Sequence, residues 1–174
     1  MKTELLQKIE ELFWENAFAE LSMDDVGKNL WIKKSSIYYH FPSKDQMFYE
    51  TLEYSSIKYL KFLDEALILA DMKDIVKSLI DFPFKSKNLF AVVLQKGYCK
   101  NEHVKDFIIN ANLEISKKFT ESLWIRFSMN KERIILFRSI IDDLWKKNCT
   151  IWCGNSGDFE SVANEIVKLF SCKQ

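Results

Sequence analysis

The chain is poor in residues that break or turn a backbone: its 174 residues include four glycines and two prolines. A β-sandwich or barrel needs a turn signal about every 8–12 residues, and a phosphate-binding fold needs glycine-rich loops. Neither is supplied. Histidine is as scarce, with only His40 and His103, and neither stands in a Cys/His/carboxylate cluster by spacing. With no nucleophile motif either, the sequence predicts no enzyme, no cofactor and no metal site. Cys99, Cys149, Cys153 and Cys172 offer no Cys-x-x-Cys pair. No apolar run approaches the ~18 residues that cross a bilayer; the clearest is Leu89 to Leu94. Glu4, Glu10 and Glu11 interrupt the apolar pattern of the N-terminus, unlike a secretory signal. A soluble, cytoplasmic chain with reduced thiols is expected.

What is abundant is apolar and aromatic matter, 48 % and 14 % of the chain, enough to bury a core. An all-α fold is the expectation. Leu5, Leu6, Ile9, Leu12 and Phe13 recur at helical spacing. Ser22 with Asp25 reads as a capping box that opens a second, short helix. A third is expected over Ser35 to His40, with Ile37 and Phe41 inward and Pro42 as its stop. Ser43 with Gln46 reads as a further capping box before a long helix to about Ala70. Beyond it the pattern predicts helices over Met72–Asp81, ending before Pro83, and Ser86–Lys96. Three more follow: Asn101–Ser128, Lys131–Cys153, and a last one capped by Asp158 and running through Cys172.

The segment Ser22–Lys44 reads SMDDVGKNLWIKKSSIYYHFPSK. From Val26 onward it holds Lys28, Lys33, Lys34 and Lys44 and no acid, whereas residues 1–25 hold seven acids and two lysines. Such a patch suits phosphate neutralisation. A short helix presenting Lys33, Lys34, Ser35, Ser36, Tyr38 and Tyr39 suits a major groove, where lysine donates to guanine and hydroxyls meet phosphates or base edges. Lys44, in the first turn of a helix, opposes the macrodipole unless a phosphate docks there.

The segment resembles the helix-turn-helix of TetR-type transcriptional regulators, whose pattern is T-x-x-x-I-A-x-x-x-G-V-S-x-G-T-x-Y-x-H-F-x-S-K-x-x-L. The resemblance rests on Ser22, Val26, Gly27, Ile32, Lys33, Ser35, Ser36, Tyr38, Tyr39, His40, Phe41, Ser43, Lys44 and Met47, and covers roughly a quarter of the chain. It implies a DNA-binding domain over residues 1–46, with Ser22 and His40 joining the residues above as DNA contacts. It also implies a helical effector-binding and dimerisation domain over residues 47–174, and a repressor released from a double-stranded operator by a small molecule. Two positions depart from the pattern. Gly27 stands where alanine is usual, and Trp31 where a glycine takes a left-handed turn. A reshaped turn or a changed helix crossing is therefore expected, with Trp31 packed on the first helix. If that change abolished DNA reading, the chain would be a helical dimeric interaction or sensor protein.

The middle helices carry Phe62, Phe82, Phe84, Phe90, Tyr98, Phe107, Phe119, Trp124 and Phe127, which suit an apolar or aromatic effector. Phe62, Phe90, Phe107 and Trp124 are the candidate contacts. Apolar residues cover more than half the girth of Lys131–Cys153, more than one buried face requires. A homodimer interface through Ile141, Leu144 and Trp145 is expected, in competition with the monomer core. Cys149 and Cys153 share a helix face and suit either burial or a redox or soft-metal sensor that Cys99 or Cys172 could join.

Overall fold

A computed structural model of the chain describes residues 2–16, 18–96, 101–151 and 159–171. The fold is all-α: α1 (Lys2–Glu15), a single 3₁₀ turn (Phe18–Glu20), α2 (Met23–Leu30), α3 (Lys34–His40), α4 (Lys44–Leu67), α5 (Met72–Lys85), α6 (Leu89–Lys96), α7 (Glu102–Phe127), α8 (Lys131–Ile151) and α9 (Phe159–Ser171). Among the described residues no helix is long and apolar enough to cross a membrane. Tyr98, Cys99, Cys153, Cys172 and the expected cap at Asp158 lie outside the described residues, as do the side chains of Phe84 and Cys149.

The chain forms two compact units. The first comprises Met1–Tyr59 with Lys87–Ile109, and the second Leu60–Ser86 with Asn110–Gln174. In the first, Ile9 and Phe13 of α1 join Val26, Ile37, Phe41, Met47, Leu52 and Phe90 in the core. Phe13 meets the edge of Phe48 at 5.1 Å, and Phe18 tilts on Phe48 at 4.8 Å. One charged group is drawn into this core. Glu10, 1 % exposed, accepts from Ser55 Oγ at 2.6 Å, Lys58 Nζ at 2.7 Å and the Leu89 amide at 3.4 Å. Ser55 Oγ in turn accepts from the Phe90 amide, and Asn88 Nδ2 donates to the Ser55 carbonyl.

In the second unit α5 packs on α8 and α9. Phe62 stacks on Phe82 at 3.9 Å, Phe82 on Trp145 at 5.9 Å, and Phe137 meets Phe170 edge-on at 5.2 Å. On the surface of this unit Glu160 bridges Lys73 and Lys77.

Several helix ends differ from the sequence expectation. Residue α5 positions continue past Pro83 to Lys85 instead of ending before it. A proline at position 83 cannot donate to the Leu79 carbonyl, but Trp145 Nε1 does so at 2.9 Å, buried. α4 ends at Leu67, short of Ala70, because the guanidinium of Arg126 takes the carbonyls of Leu67 and Leu69 and Ser122 Oγ donates to Leu67 as well. α6 starts at Leu89 rather than Ser86, where Asn88 Oδ1 accepts from the Ala91 amide. Only half of the Ser43–Gln46 box forms. Ser43 Oγ accepts from the Gln46 amide, while the Gln46 side chain donates to Glu50.

Two outcomes test this packing. W145F keeps an aromatic ring but leaves the Leu79 carbonyl without a donor, and urea unfolding is expected to show a loss of about 1–3 kcal/mol. Adding P83A, which restores a backbone N–H at position 83, recovers much of that loss in a double-mutant cycle. E10A strips acceptors from Ser55 and the Leu89 amide and is expected to cost about 2–3 kcal/mol by the same assay.

Candidate DNA interface

Local sequence builds α2 and α3 as two short helices joined by a tight turn. The capping box at α2 forms as expected: Asp25 N donates to Ser22 Oγ at 3.2 Å, and Ser22 N donates to Asp25 Oδ2 at 2.9 Å. Donation to the Asp25 carboxylate from the Ser22 hydroxyl foremost, and from the Ser22 amide, holds that carboxyl below its ordinary value. The Ser22 hydroxyl also donates to Asp25 at 2.5 Å, so it serves the cap. Gly27 lies where the helices meet. A Cβ there would stand 3.1 Å from the Ile32 carbonyl oxygen and 3.3 Å from Ile37 Cδ1, so the absent methyl lets the α2–α3 turn close.

Trp31 corrects the expectation on two counts. It keeps the left-handed conformation, φ 56° and ψ 35°, as the C-cap of α2, so the turn is not reshaped to accommodate it. It does not pack on α1 either: its side chain is 93 % exposed. A left-handed conformation costs a residue with a Cβ roughly 1–2 kcal/mol, and the amides of Trp31 and Ile32, bonded to Lys28 and Gly27 carbonyls, hold it there.

α3 turns Ile37 inward, with Phe41 just after it, both fully buried. Lys33, Lys34, Ser35, Ser36, Tyr38 and Tyr39 face solvent. His40 is half-buried and meets the edge of Tyr39 at 5.2 Å. The cations differ in their freedom. Lys34 is paired with Asp24 at 2.9 Å, and that hydrogen bond raises its pKa; its ammonium also lies 5.9 Å from the Tyr38 ring. Lys44 donates to the Leu21 carbonyl at 2.6 Å and sits 4.2 Å over the Phe18 ring. The α2 entry carbonyl thus holds Lys44 near its helix N-terminus. Lys33 has no acidic partner among the described residues, and Lys28 is exposed beside it in sequence.

The effector candidates fall in both units. Phe90 is fully buried in the first unit, where Phe107 meets it at 6.0 Å and is itself met by Tyr49 at 5.6 Å. Phe62 belongs to the second unit, and Trp124, in the same unit, is 57 % exposed. Ile141 and Trp145, expected at an interface, are each 2 % exposed within one chain. They are covered by their own unit, and Trp145 is engaged with α5. Leu144 is half-buried, whereas Ile135 and Leu136 of α8 and Leu169 of α9 remain more than half exposed. No group of three metal-ligating side chains occurs among the described residues.

The geometry over α2 and α3 is that of a helix-turn-helix protein. Residues 5–51 match the model of a family described as bacterial regulatory proteins of the tetR family. It is 22 % identical over 148 residues to the HTH-type transcriptional regulator YerO of Bacillus subtilis, covering 80 % of this chain and 51 % of that protein. It is 31 % identical over 63 residues to IcaR, the biofilm operon negative regulator of Staphylococcus epidermidis, covering 36 % and 34 % respectively. The chain thus spans about half the length or less of these curated relatives. A crystal structure of a TetR/AcrR-family regulator from Aquifex aeolicus shares the fold, with a TM-score of 0.78 at 16 % identity over 97 % of this chain and 99 % of that one.

The cap yields a pH-dependent outcome. Because Asp25 titrates below its ordinary value in the folded chain, its stabilisation is present above the usual carboxylate range and is lost as pH falls through the lowered value. S22A is expected to lower the melting temperature by about 2–4 °C at neutral pH. In thermal scans its deficit against wild type should shrink as Asp25 protonates.

Proposed function

We propose that the chain is a DNA-binding transcriptional regulator acting as a ligand-responsive repressor. The observation that carries this reading is α3: its apolar residue Ile37 is buried, and its outward face is made of lysine, serine and tyrosine. Residues 1–46 carry DNA reading in this proposal, through Lys33, Lys34, Ser35, Ser36, Tyr38, Tyr39 and His40, with Lys44 and Ser22 close to the phosphates. Lys34 exchanges Asp24 for phosphate on binding. The left-handed turn retained at Trp31 supports this reading over a chain that has lost DNA binding. The likeness to IcaR supports repression.

Residues 47–174 bind the effector and a second copy. Leu144, Ile135, Leu136 and Leu169 supply apolar surface for a homodimer, which two-fold operators require. Phe107, half-buried between Tyr49 and Phe90, supports an apolar or aromatic effector, with Phe62 a further candidate.

Fluorescence anisotropy against DNA from the chain's own promoter region and against scrambled DNA, across a salt series, tests the proposal. A strong preference for the promoter with a steep salt slope is expected, and K33A is expected to reduce that slope by about one. Equal, weak binding of promoter and random-library DNA by ligand-stripped protein would overturn it.

A further inference from the structure

Trp31 is the most exposed large apolar side chain among the described residues, at 93 %. Its indole makes no hydrogen bond, ring contact or cation contact among them, although its backbone is held in the left-handed region that favours glycine. Within the chain, then, the ring returns nothing for either its exposure to water or its backbone conformation. Asparagine or glycine would seat the same turn without the ring.

The surroundings indicate what covers it. Trp31 stands between α2 and α3, two residues before Lys33, in a stretch from Val26 to Lys44 that carries four lysines and no acid. Its exposed sequence neighbours are Lys28, Asn29 and Lys33, while Leu30 and Ile32 turn partly inward. A protein-binding tryptophan usually sits at the centre of a desolvated apolar cluster. Here the exposed neighbours in sequence are two cations and an amide rather than apolar residues, which fits a polyanion. An indole offers two complementary features to a nucleic-acid strand: an apolar face for a sugar and an N–H that donates to a phosphate oxygen.

We propose that Trp31 is a DNA-contacting residue whose indole packs on a deoxyribose of the strand flanking the groove entered by α3, with Nε1–H donating to a phosphate oxygen. The inference rests on the DNA-binding reading above and adds to it a contact made by the turn itself.

The test uses the full chain and a short duplex selected by the wild-type protein from a random-sequence library. W31G and W31N are expected to melt at or above the wild-type temperature, since both accept the left-handed turn, and yet to bind about tenfold more weakly. Their salt slope stays at the wild-type value because no cation is lost, whereas K33A lowers it by about one. W31F, which keeps a ring but not the N–H, loses less affinity than W31N. The emission that distinguishes wild type from W31F becomes shielded from acrylamide when the duplex is added. If W31G and W31N bind within about twofold of wild type while K33A is weakened, the chain reads DNA without Trp31 and the inference fails alone. If the wild type enriches no sequence and K33A binds as it does, both readings fall together.

Discussion

A carboxylate taken out of water must be met by donors, and Glu10 sets that requirement at the centre of the first unit. Its partners come from two other elements: Ser55 and Lys58 on α4, and the Leu89 amide at the start of α6. Ser55 passes the demand on, since its hydroxyl also accepts from Phe90. Each of these groups is satisfied only in one register of α1, α4 and α6, so a polar network fixes what apolar packing alone would leave adjustable. The seating of α1 places Phe13 against Phe48, and Phe48 against Phe18, the ring that Lys44 covers. The position of α2 and α3 thus depends on a group buried away from their exposed face.

The lysines of the basic segment serve two ends. Lys44 closes a carbonyl at the entry to α2, and Lys34 ties the start of α3 to the first turn of α2 through Asp24. Both hold the two short helices in place. An exposed ion pair is readily exchanged for another partner, whereas a half-buried ammonium on a carbonyl is not, although it retains further donors. Counting positive charge in a sequence weights these residues equally; the structure ranks Lys33 as the freest, Lys34 as exchangeable and Lys44 as anchored.

Where the sequence was legible, the cause was local. Ser22 with Asp25, Pro42 after Phe41, and the inward pair Ile37 and Phe41 each follow from groups a few residues apart. The misses share a different cause. Pro83 signals the end of a helix by a lost donor, but the replacement donor, Trp145, lies on another helix. The end of α4 depends in the same way on Arg126. Apolar girth in α8 exceeds one face, with Ile135 and Leu136 exposed, yet periodicity counts apolar residues without saying which partner covers each, and Ile141 and Trp145 lie in the core of their own unit. Trp31 looked like a residue that needed packing, because hydrophobicity alone does not reveal that its turn points the side chain outward.

The indole that replaces the proline's missing donor also restricts movement within the second unit. A helix can usually slide a short way along its neighbour, because apolar side chains trade one contact for another at little cost. The pair α5 and α8 lacks that freedom: any slip withdraws Trp145 Nε1 from the Leu79 carbonyl, which Pro83 cannot satisfy, and leaves a buried acceptor bare. The two helices are indexed against each other like a pin in a slot.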